Sequence, residues 1–275
     1  PNGAGKSTFI NILAGLVTKT SGTAKIWGYD IETEMRAARC SIGIVPQELN
    51  LDAFFTPRQA MELQAGLYGV PKAERRTDEI LAALGLSDKA DSYSRSLSGG
   101  MRRRLLVGKA MVHMPPVLVL DEPTAGVDIE LRQQLWAYVK ELNKVGVTIV
   151  LTTHYLEEAE ELCDEIAIIN KGNVIAHEDK RSLLRRIDHK TLILTVKNAL
   201  NAVPEELTPW GAELKAANQI ALNYRPSNTQ MAEILNAIQG CGLAITDLST
   251  EEGDLEDIFL MLTRDNDKAR AGKAA

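Results

Sequence analysis

Three short, mainly apolar runs stand out along the chain, each leading within two residues to polar ones. Ser41–Val45, Val117–Leu120 and Val147–Leu151 show no alternation of polar and apolar positions, which is the pattern of strands covered on both faces in a parallel sheet. Between them the spacing turns helical. Phe9, Leu13 and Leu16 stand at i, i+4 and i+7 and predict a helix over Lys6–Leu16 with those three residues on its buried face. Thr20, Ser21 and Gly22 turn the chain into a short strand at Ala24–Trp27, and Arg36 and Arg39 lie on a polar helical segment facing water. Thr56 as N-cap and Pro57 at the first helical position open another helix. A second one from about Pro71 stops at Gly85, and a long one covers Ile129–Lys144. Strands alternating with helices predict an α/β fold on a mainly parallel sheet.

The pattern changes in the last third. Asp164–Asn170 and Asn173–His177 read as a β-hairpin around Lys171-Gly172, followed by a charged connecting helix over Glu178–Ile187. Beyond it come short alternating strands at Thr191–Val196, Gln219–Tyr224 and Ala244–Leu248, with helices at Thr229–Ile238 and Leu255–Thr263. These predict a small α+β domain over 188–265 after a larger domain over 1–187, and the small, charged tail of 266–275 predicts disorder.

Composition narrows the class. The 275 residues are 45% hydrophobic, enough for one sizeable core and a smaller second one. A net charge of -6 argues against nucleic acid as a partner and against a polybasic membrane anchor. No apolar run approaches the ~18–20 residues of a spanning helix, so a membrane role has to come through a partner. Cys40, Cys163 and Cys241 are widely separated with no C-x-x-C pair, which fits a reducing cytoplasm. His113, His154, His177 and His189 show no metal-ligand spacing.

Candidate chemistry sits where apolar runs end. Pro1–Thr8, PNGAGKST, follows the phosphate-loop pattern G-x-x-x-x-G-K-[ST] from its second residue onward. Gly3 and Gly5 let the backbone wrap phosphates, Lys6 reaches phosphate oxygens, and the Ser7 hydroxyl can ligate magnesium; Asn2, Ala4 and Thr8 complete the loop. Ser98, Gly99 and Gly100 form a second phosphate seat at a helix N-terminus, where N–H groups are unsatisfied. The run Val117–Leu120 delivers Asp121 and Glu122 to a strand C-terminus, where open α/β sheets bind ligands. Asp121 suits magnesium and Glu122 suits orienting or deprotonating a water. Val147–Leu151 likewise presents Thr152, Thr153 and His154, within reach of a terminal phosphate. Gln47 after Pro46 is by itself an exposed loop amide, and Asp128 a plain helix N-cap. Arg102, Arg103 and Arg104 in the first turns of a helix oppose its dipole and read as a solvated face, with an anion or acidic partner as the alternative. Asn143-Lys144-Val145-Gly146 lacks the aspartate of a guanine-recognition motif.

These motifs, in this order, make the chain similar to the ATP-binding subunit of an ABC transporter, most closely the exporter ATPases of the ABC-2 type. LSGGM resembles the signature LSGGQ with Met101 in place of glutamine; GIVPQE resembles the Q-loop, VLVLDEP the Walker B strand, AGVD the D-loop and TTH the switch histidine. The resemblance covers about Pro1–Arg186 and implies a P-loop NTPase with a RecA-like core and a helical subdomain at about 48–93. ATP and magnesium are the implied ligands. Glu122, His154 and Gln47 would serve hydrolysis, Ser7, Gln47 and Asp121 the metal, and Asp128 the nucleotide. A homodimer or paired ATPase is implied, closing head to tail so that Ser98 and Gly100 of one chain meet the nucleotide on Lys6 and Ser7 of the other. A transmembrane permease is the implied further partner, reached from the inner face of the cell membrane, with Phe54 and Phe55 as candidate contacts. Pro1 falls inside the Walker A pattern, so the chain reads as a fragment of a longer parent. The missing strands would carry the adenine-stacking aromatic, and their loss would expose a sheet edge and weaken ATP binding. Alternatives are a hydrolysis-impaired fragment or a non-transport ABC ATPase. A DNA-repair ATPase would need a coiled-coil insertion, and a translation-factor ATPase two cassettes.

Overall fold

A computed structural model describes residues 1–127, 129–186, 190–252 and 254–263. They divide into two compact units, one of 1–163 with 169–173, the other of 164–168 with 174 onward. Residues 164–168 and 174–186, which the sequence groups with the larger domain, are thereby counted with the second unit. Asp128, the connector's end at Ile187, and the tail at 266–275 lie outside the described residues.

The first unit runs α1 (Lys6–Leu13), β1 (Lys25–Ile26), β2 (Tyr29–Asp30), α2 (Met35–Cys40), β3 (Ile42–Val45), α3 (Pro57–Leu67), α4 (Thr77–Ala83), α5 (Gly99–Met111), β4 (Val117–Asp121), α6 (Ile129–Lys144), β5 (Thr148–Thr152) and α7 (Leu156–Leu162). β3, β4 and β5 form a parallel sheet in that order, with Ile42 opposite Val117 and Asp121 opposite Thr152. On β4, Leu118 and Leu120 pack with Leu106, Met111, Leu135 and Val139 of α5 and α6, whereas Val119 packs with Ile10, Ile26, Ala38 and Ile42 on the other face. Both faces are covered, so the strand is apolar at every position from Val117 to Leu120. Gly43 is where α5 comes closest to the sheet: a Cβ there would meet the Ala110 carbonyl oxygen at 2.3 Å. Gly43→Ala is expected to destabilise the fold by about 1–3 kcal/mol through overpacking against rigid backbone, read as a lower urea midpoint at unchanged m.

Helix α1 corrects the predicted buried face. It ends at Leu13, and its buried residue is Ile10; Phe9 and Leu16 are 51% and 77% exposed. The turn at Gly15, φ 70°, ends the helix before Leu16 can join a stripe, and Ile10 is the residue turned onto β4.

Helix α3 begins as its capping residues dictate: the Thr56 hydroxyl accepts from the Gln59 N–H while the Gln59 side chain accepts from the Thr56 N–H, with Pro57 next. The next helix starts later than expected, at Thr77, because Pro71 and Arg75 are extended around a single 3-10 turn at Lys72–Glu74. Arg75 pins that segment by donating to the Val70 carbonyl and to Glu62. Met61, Ala65, Ile80, Leu81, Leu84 and Leu105 pack α3, α4 and α5 together as the core of the helical part.

The second unit contains most of β6 (Glu165–Asn170) and β7 (Asn173–Asp179), then α8 (Lys180–Leu184), β8 (Lys190–Val196), β9 (Glu213–Ala216), β10 (Gln219–Tyr224), α9 (Met231–Gly240) and β11 (Ile245–Glu252). Residues 255–263 are helical. The last four strands make an antiparallel sheet in the order β11-β8-β10-β9. Leu192, Leu194, Ile220 and Leu222 on its inner face pack with Leu207, Ile234 and Ile238. The sequence reading missed β9, a four-residue edge strand whose alternation of Leu214 and Ala216 with charged residues is too short to stand out and whose every position is exposed, and stopped β11 short at Leu248 because its polar end is recruited only by pairing with β8.

Candidate nucleotide site

The glycine loop is built as its pattern requires. Gly3 and Gly5 have φ of 72° and 104°, a region unfavourable to other residues, and Gly5 caps α1. Lys6 thus begins the helix, its Nζ donating to the Pro1 carbonyl at 3.0 Å. Asn2, Gly3, Ser7 and Thr8 are exposed while Ala4 is buried. The Ala4 carbonyl accepts from the Gly172 N–H at 2.9 Å, so the tip of the β6–β7 turn fastens the loop from behind. Nothing in the local sequence links Lys171-Gly172 to Ala4; only the fold does.

Packing of α1 on β4 brings this loop to the strand that carries the acids. Asp121, the last residue of β4, is buried and accepts from the Thr152 hydroxyl across the sheet. Glu122 follows in the left-handed region at φ 47°, rare for a residue with a side chain. Its N–H donates to the Thr152 carbonyl at 3.0 Å, which holds the turn. Glu122 is 8% exposed. Its Oε2 accepts from Gln47 Nε2 at 2.9 Å and lies 3.3 Å from His154 Nδ1. Two residues from separate loops, Gln47 and His154, therefore meet on the carboxylate of a third. The His154 ring also lies against the Tyr155 ring, centroids 4.1 Å apart and planes tilted by 37°, and the Arg132 guanidinium lies over Tyr155, 5.2 Å from its ring centroid.

Ser98 caps α5, its hydroxyl accepting from the Met101 N–H at 3.2 Å. Ser98 and Gly99 are exposed and Gly100 is half-buried. Among the described residues no hydrogen bond joins these three to the glycine loop or to Glu122. The solvated-face reading of the next three residues is overturned. Arg102 donates to the Arg95 carbonyl at 3.0 Å and Arg104 to the Leu84 carbonyl at 2.7 Å. Arg103, 5% exposed, donates through Nη1 and Nη2 to the carbonyls of Pro46 and Gln47, each at 2.8 Å. Bonds from a charged donor contribute about 1.5–3 kcal/mol each, enough to override the unfavourable helix dipole. Burial lowers the Arg103 pKa from the usual arginine value.

A further buried acid was missed. Glu158 on α7 accepts, on its one oxygen Oε1, from Thr124 Oγ1 and Trp136 Nε1, both at 3.0 Å. It joins the turn after Glu122 to α6 and α7. In sequence it is one glutamate among the many of YLEEAEE, and only its burial marks it out.

A glycine loop feeding a helix, a parallel sheet buried on both faces and an acidic pair at its C-terminal edge define a P-loop nucleoside triphosphatase. Residues 1–125 match the family model described as ABC transporter. The chain is 36% identical to the linearmycin resistance ATP-binding protein of Bacillus subtilis, across 96% of this chain and 87% of that protein. It is 35% identical to the Nod factor export ATP-binding protein I of Ralstonia nicotianae, across 96% and 83%. Among solved structures, a dimeric ATP-binding cassette in a post-hydrolysis state with ADP and Pi superposes with a TM-score of 0.59 at 28% identity, across 65% of this chain and 82% of that one. The chain belongs to the ABC transporter family. Within it, it is an ATP-binding ATPase subunit of the ABC-2 exporter type.

Proposed function

We propose that two copies of this chain close head to tail on two ATP molecules, and that closure drives a separate transmembrane partner. The observation that carries this reading is the meeting of Gln47 and His154 on Glu122 Oε2. A carboxylate steadied from two sides at a strand end is placed to orient and deprotonate an attacking water. Lys6 and the first-turn N–H groups of α1 hold phosphate oxygens, with Asn2, Gly3, Ala4, Gly5, Ser7 and Thr8 shaping the loop around them. His154 faces the terminal phosphate. Ser98 and Gly99, exposed, and Gly100, half-buried, are not hydrogen-bonded to their own glycine loop among the described residues and suit the terminal phosphate held by the second copy; Asp128 is assigned to the nucleotide by its motif alone. The dimeric relative with ADP and Pi supports the two-chain arrangement.

The donor set also fits magnesium. Ser7 offers a hydroxyl and Asp121 a carboxylate; Gln47, whose Nε2 is engaged with Glu122, has its amide oxygen left, so all three present the oxygen a hard cation requires. Magnesium bound there would supply charge neutralisation on the phosphates.

The site of action we infer is the inner face of the cell membrane, reached through the partner. Among the described residues no helix is long and apolar enough to cross a membrane. Phe54, 74% exposed, with Phe55, Leu63 and Leu67 gives the helical part an apolar surface on which a permease can dock. The net charge of -6 does not suit nucleic acid. Light scattering tests the two-chain mechanism. Glu122→Gln is expected to double in mass with ATP-magnesium, and to remain monomeric when Ser98→Arg is added. A Glu122→Gln protein that binds ATP but stays monomeric overturns it.

A further inference from the structure

Arg103 takes no part in the roles assigned so far, yet it is the most buried of the three arginines that open α5. The three point in different directions. Arg102 and Arg104 donate to Arg95 and Leu84, both within the helical part, and so lock α5 to it. Arg103 reaches out of that part, to two successive carbonyls, Pro46 and Gln47, in the loop that leaves β3. A planar guanidinium meeting two neighbouring carbonyls fixes both the place and the direction of the peptide between them. The side chain of that same Gln47 donates to Glu122 Oε2 at 2.9 Å. Just beyond Gln47 the loop has short-range bonds, Asn50 N–H to Glu48 and Leu51 N–H to Leu49, and its far end is fixed by Arg95 N–H to Ala53 and by Ser94 to Phe55, so Arg103 anchors the end that carries Gln47.

We propose that Arg103 is a positioning residue for hydrolysis, tying the helix that opens with Ser98-Gly99-Gly100 to the loop that presents Gln47 to Glu122. A shift of α5 then moves the Gln47 amide, and with it the donor that steadies the carboxylate. The proposal rests on the roles given above to Gln47 and Glu122. A purely structural filler would not be charged. Among the described residues no carboxylate pairs with Arg103, its Nε has no partner, and a buried unpaired charge is costly where an apolar side chain of similar volume is not. What a methionine could not supply is the fork on the two carbonyls.

A double-mutant cycle with Gln47 tests this on the purified protein with ATP and magnesium. Arg103→Met is expected to lower kcat by about 10–100-fold, the order of effect of an ångström-scale misplacement, with the KM for ATP little changed. In a Gln47→Ala background the same replacement should lower kcat by less than about twofold, because the residue it acts through is gone. Arg103→Lys, which keeps the charge and loses the fork, should fall between and show the same non-additivity; it carries the test if the methionine variant does not fold. Equal losses in both backgrounds, or an unchanged kcat, overturn the proposal. Glu122→Gln, run alongside, separates the two failures. If it abolishes hydrolysis while the Arg103 variants do not lower kcat, only the positioning role is wrong. If it leaves hydrolysis intact, the site assignment itself is wrong and the positioning role falls with it.

Discussion

Glu122→Gln is expected to lower the kcat of ATP hydrolysis by about 10²–10⁴-fold, the range for removing a positioned general base, and to leave the affinity for ATP nearly unchanged. The glutamine has the volume and reach of the carboxylate, so Gln47 Nε2 still finds an oxygen acceptor and the turn held by Thr152 is undisturbed. What is lost is the ability to take a proton from water and the negative charge opposite His154. Lys6, Ser7 and the α1 N-terminus lie on a different element, so the phosphate contacts proposed for them would be unaffected. Steady-state kinetics and equilibrium binding of a fluorescent ATP analogue check it together. A raised KM at unchanged kcat would assign Glu122 to binding instead.

The second large effect falls on stability. Glu158→Ala is expected to cost about 2–6 kcal/mol, since it leaves two donors, Thr124 Oγ1 and Trp136 Nε1, without their acceptor in a dry site at about 1–3 kcal/mol each. Glu158 is 1% exposed, so water does not readily take its place. Glu158→Gln keeps an oxygen for both donors and should lose far less. Urea unfolding of the three proteins distinguishes the cases. Equal midpoints for alanine and glutamine would mean that the charge, and not the acceptor, holds the junction. Because Thr124 is two residues beyond Glu122, the alanine variant should also lose hydrolysis, to a smaller degree than Glu122→Gln.

Much of the site was legible without coordinates because its requirements are local. Positive φ at Gly3 and Gly5, orphan N–H groups at the start of α1 and α5, and acids directly after a buried strand are each written within a few consecutive residues. Where the reading erred, a distant partner decided. Phe9 and Leu16 have the spacing of a buried face, but α1 turns Ile10 to β4 and stops at Leu13. Arg102, Arg103 and Arg104 look like a solvated face until the Arg95, Pro46, Gln47 and Leu84 carbonyls are found beside them. A four-residue edge strand such as β9, Glu213–Ala216, carries too short an alternation to be read alone and forms because β10 offers a ladder.

The sequence by itself determined the fold class, the phosphate loop and the identity of the acids. Turn geometry, helix ends and two-sided burial constrain residue type within a window of a few residues, so composition at those positions has one economical explanation. Only the tertiary structure decided which groups act together. Gln47 and Glu122 are 75 residues apart and meet because β3 and β4 are neighbours in the sheet. Arg103 reaches Gln47 because α5 packs against β3, and Gly172 reaches Ala4 because a distant hairpin turns back onto the glycine loop. Hydrogen bonds over such separations leave no periodicity in the chain; they are made only when sheet order and helix packing bring the two ends within about 3 Å.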